Sequence, residues 1–274
     1  MVLHIRSIMH RENSKVFLPP DDNNAQIWQF MDFPEFVSVL DQGSLFFSKA
    51  MNLFDPYEGK LPQDSKSAKF QYNNKSNNSL LPSTLREKTH NTLRNVIVIN
   101  SWHINDFESA AMWNLYSQLK TGISIQSTYD RLCRSFDINL DDDIFIGKVN
   151  YIDYSRDSID DFDLLELFVT KRKHFEYEQE LRVITTTTFS QHDNRRLILR
   201  DATKELYKIE PFEQNRINLL TNAGRYVPVD LGSLLDKIFV APLSEDWYLS
   251  LVKSVVSKYG ISQDKVVKSN LYSI

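Results

Sequence analysis

The segment that decides the fold is residues 171–184, which read KRKHFEYEQELRVI. Residues 177–184 are predicted to form a β-strand, in which successive side chains point to opposite faces. This alternation predicts that Glu178, Glu180 and Arg182 share one face of the strand. Two carboxylates and a guanidinium on one face are costly to bury unless they pair with one another. We interpret the segment as a candidate active site, with a solvated face or a structural ion pair as the alternative.

The remaining chain alternates between predicted strands and helices without a repeat. Asp32 is a predicted helix cap and Gly43 the stop of the same helix. Residues 95–101 are a predicted buried strand, because they contain an apolar, β-branched run from Val96 to Ile99. Residues 160–173 have an acidic start and a basic end, which predicts a helix. The mixed order predicts an α+β fold, in which a mixed or antiparallel central sheet is flanked by helices.

The domain organisation is predicted from composition. Residues 1–24 are a polar lead-in, residues 25–274 a single α+β domain, and residues 60–84 a polar and mobile surface loop. The chain has 274 residues with 42% apolar content, enough to bury a full core.

Charge and cysteine content exclude several classes of protein. The net charge of −4 exerts no global attraction on nucleic acid or on an anionic membrane. The single cysteine, Cys133, fits a reducing cytosol, and no segment approaches the ~18 apolar residues of a membrane span. We therefore expect a cytoplasmic protein without a membrane partner. The seven glycines are too dispersed for a phosphate-binding loop, and no spacing of Cys, His or acidic residues indicates a metal site.

Two further groups of residues are candidates for a ligand cleft. Trp113 and Tyr116 lie three residues apart on a predicted helix and share a face, which suits either a stacking wall for a flat ring or ordinary core packing. Ser48 ends a strand just before the acidic turn at residues 55–59, a place that borders either a cleft or the core. His103 follows the buried strand, where catalytic groups often emerge, although capping and surface roles are also open.

The joint pattern resembles a bacterial domain family of unknown function. It consists of an Asp-Pro-Tyr-Glu turn at 55–58, a Glu-Ser-Ala-Ala-Met-Trp helix at 108–113 and the Lys-Arg-x-x-Phe-x-x-Glu-x-Glu-x-Arg segment at 171–182. The resemblance extends from about residue 27 to residue 270. It names a family and no reaction.

A looser resemblance is to the ADP-ribosyltransferase superfamily, which places a Glu-x-Glu on a late strand. The resemblance implies that Glu180 is the catalytic glutamate, which holds the ribose 2′-hydroxyl of NAD, and that Glu178 orients an acceptor. It places Gln29 on the first strand, where the superfamily has Arg or His. The diphosphate of NAD would then bind Arg182, Lys171 or Arg172.

These observations lead to three hypotheses for function. The first is an NAD-dependent transferase or glycohydrolase resembling ADP-ribosyltransferases, acting as a toxin or anti-phage defence effector on a protein, nucleic-acid or small-molecule acceptor. The second is a non-catalytic module that binds a nucleotide or a protein, with Glu178, Glu180 and Arg182 as a structural network. The third is a metal-dependent nuclease or hydrolase, which requires Glu58, Glu108 and Glu180 to converge.

Overall fold

The computed structural model describes residues 16–60, 91–136, 144–157, 165–186 and 223–272. Most of the predicted lead-in and nearly all of the loop predicted at 60–84 lie outside these ranges. The part of the lead-in that is described, residues 16–24, contains bends and turns and neither helix nor strand.

The described chain alternates short strands and helices. The strands are β1 Gln26–Met31, β2 Ser44–Lys49, β3 Ile97–Ile104, β4 Ile123–Thr128, β5 Phe145–Lys148, β6 Asn150–Ile152, β7 Thr170–Arg172, β8 Glu180–Thr186, β9 Gly224–Pro228, β10 Lys237–Val240 and β11 Val266–Lys268. The α-helices are α1 Phe33–Gln42, α2 Ala110–Tyr116, α3 Tyr129–Ser135, α4 Leu231–Leu234 and α5 Asp246–Lys258, and residues 91–96 are also helical. Short 3₁₀ helices occupy Ala50–Asn52, Glu166–Phe168, Lys173–Glu178 and Gln263–Lys265.

Helix α1 is bounded as its sequence predicts. The Asp32 carboxylate accepts a hydrogen bond from the backbone N–H of Glu35 at 2.8 Å, and the Glu35 carboxylate accepts one from the N–H of Asp32 at 3.1 Å. This reciprocal pair satisfies two backbone donors at the start of the helix. Gly43 ends the helix in the left-handed region, at φ 55°, where a glycine has no Cβ to clash.

Nine strands form one mixed sheet, which confirms the predicted α+β fold. Seven of them lie side by side in the order β11-β10-β4-β1-β3-β2-β9; β8 pairs with the other edge of β3, and β5 pairs with β8. All pairings in this sheet are antiparallel except β10 with β11. Strands β6 and β7 form a separate parallel pair.

The sheet splits beside strand β3. Strand β8 pairs with one edge of β3 along its length, from Ile97 to His103. The opposite edge is shared, because β2 pairs with it at Val98 and Ile99 while β1 pairs with it at His103 and Ile104. Residues 100–102 therefore have no strand partner on that edge among the described residues, and β1 and β2 diverge on either side of a gap.

The two faces of the sheet carry separate cores. One face packs against α1, α3 and α5 through a large apolar cluster that includes Leu181, Val183 and Trp102. The other face packs through a smaller cluster, including Ile99 and Ile184, against residues 165–169. None of the helices in the described ranges is long and apolar enough to cross a membrane.

The prediction of a helix at 160–173 is wrong over its described part. Residues 158–164 lie outside the described ranges, and residues 165–178 form a 3₁₀ turn, strand β7 and a second 3₁₀ turn. Leu165, Leu167, Phe168 and Val169 are all buried. A single face of a helix does not bury four apolar residues in five positions. Packing of these residues against the smaller core therefore outweighs the acidic start and basic end that predicted a helix.

The central position of β8 predicts a large penalty for truncating its core side chains. Leu181 is completely buried, so Leu181→Ala should lower the free energy of unfolding by about 3 kcal/mol. The control Leu251→Ala, at a partly exposed position of α5, should change it by less than about 0.5 kcal/mol. Urea denaturation of the three proteins measures both values, and similar midpoints for the two variants would contradict the placement of Leu181.

Candidate functional site

A cavity of about 790 Å³ opens where the sheet splits. Ligand pockets in proteins commonly have this size. Its walls come from β1, α1, β2, residues 53–58, β3, α2, β7, the segment before β8, β8 and β9. They include Trp28, Gln29, Phe30, Phe46, Ser48, Phe54, Glu58, Ser101, His103, Tyr116, Lys171, Phe175, Tyr177, Glu178, Glu180, Arg182 and Tyr226. We refer to this cavity as the cleft. Six of the eight site residues predicted from the sequence line it: Gln29, Ser48, Tyr116, Glu178, Glu180 and Arg182.

Arg182 is a fully buried guanidinium at the floor of the cleft. Its Nη1 and Nη2 donate to the two Glu58 oxygens at 2.8 and 2.7 Å, and its Nε and Nη2 donate to the two Glu180 oxygens at 2.8 and 2.9 Å. Nη1 also donates to the backbone oxygen of Phe168 at 2.7 Å. A guanidinium has five N–H donors, so every donor of Arg182 is used and none is left for the diphosphate that it is predicted to bind.

Glu180 is a carboxylate with its acceptor positions filled. Besides the two bonds from Arg182, it accepts hydrogen bonds from Ser101 Oγ and, at 3.3 Å, from Lys171 Nζ. Burial by itself raises the pKa of Glu180, but the charges of Arg182 and Lys171 and the hydrogen bonds outweigh burial and lower the pKa to about 2. Glu180 is therefore ionised and held in place by protein donors.

Glu178 keeps acceptor positions that protein groups do not fill. One of its oxygens accepts a hydrogen bond from Tyr116 Oη at 2.9 Å and the other from Lys171 Nζ at 2.5 Å. A carboxylate accepts about four hydrogen bonds, so about two positions are left for a ligand. Burial first, and then the charge of Glu178, raise the pKa of Tyr116 far above its usual range, so the phenol stays a donor.

The buried cluster carries an excess of negative charge. Glu58, Glu178 and Glu180 give three formal negative charges, and Lys171 and Arg182 give two positive ones, which leaves one negative charge. All five side chains are at most 9% exposed. An uncompensated charge in so dry a place interacts strongly with whatever enters the cleft. The cluster therefore favours a ligand that is cationic or rich in hydrogen-bond donors.

The turn at residues 55–59 delivers Glu58 to the cluster. Arg172 donates from Nε and Nη2 to the Asp55 carboxylate at 3.1 and 2.8 Å, and its guanidinium lies 4.4 Å from the centre of the Tyr57 ring. Gly59 has φ 67°, and a Cβ there would lie 2.6 Å from the Phe168 ring. Arg172 is a predicted ligand-binding residue, but it does not line the cleft and instead anchors the turn that positions Glu58.

Gln179 separates the two glutamates by a turn of the backbone. Glu178 is the last residue of a 3₁₀ helix, Gln179 has φ 39° in the left-handed region, and β8 begins at Glu180. The prediction that both glutamates belong to one strand is therefore wrong. The left-handed residue turns the chain so that both carboxylates reach the same ammonium group, that of Lys171.

Trp113 lies in the core and does not line the cleft, contrary to the stacking wall predicted for it. Its ring is completely buried, packs edge-on against Phe30 at 5.1 Å, and donates from Nε1 to Glu108 at 3.0 Å. Tyr116 is 50% exposed and turns toward Glu178. Positions three apart on a helix point about 60° away from each other. On α2 this difference places Trp113 in the core and Tyr116 at the cleft.

His103 occupies the cleft end of β3, directly opposite Glu180 on β8 and Trp28 on β1. Its Nδ1 lies 2.6 Å from the backbone oxygen of Glu178, while its Nε2 is buried without a partner among the described residues. Burial lowers the pKa of His103, although the hydrogen bond and the charge of Glu178 act in the opposite direction. Gln29 similarly donates from Nε2 to the Ser101 oxygen at 3.4 Å, and its buried Oε1 has no partner in the described part of the chain.

The convergence required for a metal-dependent hydrolase is incomplete. Glu58 and Glu180 meet at Arg182, but Glu108 is bound to the indole of Trp113. Within the residues that the structure describes, His, Cys, Asp and Glu form no group of three that would hold a metal ion.

Sequence reasoning misses Ser101 and Asp55 as parts of this network. It offers Lys171 only as one of three alternatives for binding phosphate, yet Lys171 is the ammonium on which both glutamates converge. Nothing in the basic run at 171–173 distinguishes Lys171 from its neighbours. Only the alternation of β7, which turns Lys171 inward and Arg172 toward Asp55, makes that distinction.

The saturated guanidinium predicts a strong dependence of stability on Arg182. Arg182→Met leaves two buried carboxylates without their main partner, and should lower the free energy of unfolding by about 3–5 kcal/mol. Arg134→Met removes an ion pair with Asp130 whose side chains are 67% and 40% exposed, and should change it by less than about 1 kcal/mol. Urea denaturation at neutral pH compares the variants, and equal losses would show that the buried network is dispensable.

Comparison of the chain with protein-family models, with curated proteins and with solved structures finds no match. The resemblances drawn from the sequence therefore stay predictions. The charges, hydrogen bonds and burial of the cleft are the basis on which a function is proposed.

Proposed function

We propose that the cleft binds NAD and cleaves its bond between nicotinamide and ribose, as in a transferase or glycohydrolase similar to ADP-ribosyltransferases. The observation that carries the proposal is the single excess negative charge of the buried cluster, which faces a cavity of ligand size. Breaking this bond develops positive charge on the sugar carbon, and fixed negative charge in a dry site stabilises that charge.

The hydrogen-bonding character of the cleft supports a ribose-bearing ligand. Gln29 Oε1 and the unfilled positions of Glu178 are acceptors. Ribose hydroxyls and a carboxamide NH₂ are donors, so they complement these atoms. Glu178 is the carboxylate that touches the ligand in this proposal, and Glu180 contributes its charge from the position where Arg182 and Lys171 hold it.

Aromatic side chains at the cleft support a flat ring in the ligand. Phe54 is 95% exposed, Tyr116 and Tyr177 are each 50% exposed, and all three line the cleft. The nicotinamide ring of NAD is both flat and cationic, and therefore suits aromatic faces next to an acidic floor.

The reaction needs little from the protein beyond placement and charge. The bond between the sugar carbon and the ring nitrogen breaks, and its electron pair passes to the nitrogen, whose positive charge is thereby neutralised. The acceptor forms a new bond to the sugar carbon and loses its proton. Acting in the cytoplasm on a cellular target or on the NAD pool, such an enzyme would be a toxin or an anti-phage effector.

A second function is favoured by the saturation of Glu180. A carboxylate whose acceptor positions are all filled by protein donors is typical of a structural network, and its presence here supports a module that binds a nucleotide without turning it over. The two functions differ in whether nicotinamide is released.

Incubation with NAD, with nicotinamide release and the thermal midpoint measured in parallel, separates the two functions. The wild type should release nicotinamide, and Glu178→Gln should reduce the rate about 100-fold or more, since it removes the charge that touches the ligand. It should lower the midpoint less than Glu180→Gln, because Glu178 pairs with Lys171 but not with Arg182. Glu180→Gln should lower both the rate and the midpoint, because it also unbalances Arg182 and Lys171.

Glu176→Gln is the matched control, since Glu176 is an exposed carboxylate two residues before Glu178. It should match the wild type in rate and in thermal midpoint. A midpoint raised by NAD without nicotinamide release would favour the binding module, and neither a shift nor release would contradict both functions.

A further inference from the structure

The contacts of His103 determine its protonation pattern. A backbone carbonyl only accepts hydrogen bonds, so the 2.6 Å contact with the Glu178 oxygen places the proton of a neutral imidazole on Nδ1. The lone pair then lies on Nε2, which is buried and has no partner among the described residues. A buried polar atom without a partner destabilises the fold, and a hydrogen-bond donor that enters the cleft would remove that cost.

His103 belongs to the cleft and to its charged cluster. It lines the same cavity as Glu178 and Glu180, and the β3–β8 register places it opposite Glu180. The charged and titratable groups around the cleft are Glu178 and Tyr177 from the 3₁₀ helix, Glu180 and Arg182 from β8, Lys171 from β7, Tyr116 from α2, Glu35 from α1, Tyr226 from β9, and Asp55 and Glu58 from the turn.

A proton taken up by His103 balances the cluster. With a neutral imidazole, three carboxylates face two cations, and an imidazolium would bring the sum to zero. Four other groups at the cleft are less suited to accept a proton. Glu180 has a pKa of about 2, Arg182 and Lys171 are cations already, and Tyr116 is a protonated phenol.

We propose that His103 Nε2 is the general base that takes the proton from the water or hydroxyl group attacking the sugar carbon. This role rests on the proposed function. As the carbon–nitrogen bond breaks and its electron pair passes to nicotinamide, the oxygen of the nucleophile bonds to carbon and its proton passes to Nε2. The backbone oxygen of Glu178 holds the ring in the required tautomer, and the excess negative charge stabilises the imidazolium. The acceptor is accordingly an O–H compound.

The experiment compares the wild type with His103→Asn and His103→Gln by measuring kcat/KM for nicotinamide release from pH 5 to 9. Asn keeps an N–H donor near the position of Nδ1 and lacks Nε2, so it preserves the contact with Glu178 and removes the base. The wild-type rate should fall about tenfold per pH unit at acid pH, below a pKa that lies under 6.5, because protonation removes the lone pair. His103→Asn should be about 100-fold slower at pH 7.5 and should lack this acidic fall, with an unchanged thermal shift by NAD.

Each alternative result has a distinct meaning. If the wild type releases nicotinamide and His103→Asn retains its rate within twofold or keeps the acidic fall, the base role is overturned and the proposed function stands. If the wild type releases none, both are overturned. If neither variant folds, nitrogen NMR of the wild-type imidazole decides the base role, since a proton on Nε2 at neutral pH would overturn it and a proton on Nδ1 alone would support it.

Discussion

The buried guanidinium of Arg182 is the constraint on which the candidate site depends. A guanidinium removed from water must find an acceptor for each of its N–H groups or the fold loses several kcal/mol. Here the acceptors come from Glu58, from Glu180 two residues away on the same strand, and from the backbone at Phe168. Arg182 and Glu58 are 124 residues apart in sequence, so this requirement ties the turn at 55–59 to β8.

The same requirement sorts the acidic residues of the cleft by role. Glu58 and Glu180 pair with Arg182, whereas Glu178 pairs with Lys171 and accepts a hydrogen bond from Tyr116 at the cleft. Because Lys171 is shared among all three, the cluster keeps one unbalanced negative charge. The split of the sheet beside β3 opens the space in front of that charge, so a ligand site and a structural network coincide.

Sequence reasoning predicts much of the fold because the signals are local. Asp32 and Gly43 bound α1 through their own side-chain and backbone chemistry, and the α+β order is indicated by runs of apolar residues. Sequence reasoning fails where a tertiary contact determines the local structure. The left-handed backbone of Gln179, the burial of Trp113 and the replacement of a helix by β7 all depend on what lies across the sheet, which no local pattern encodes. The glutamate pair is predicted for a partly wrong reason, since a turn rather than strand alternation brings both residues to the cleft.

The measurement that tests the central claim most directly is calorimetric binding of NAD and of its reduced form, NADH. The two ligands share the ribose, the diphosphate and the adenine, and differ mainly in the positive charge of the nicotinamide ring. Because the floor of the cleft is acidic and carries one unbalanced charge, NAD should bind more tightly than NADH by about tenfold or more. A tenfold difference in Kd corresponds to about 1.4 kcal/mol of binding free energy. Equal affinities, or tighter binding of NADH, would contradict the claim that the charge of the cleft selects its ligand.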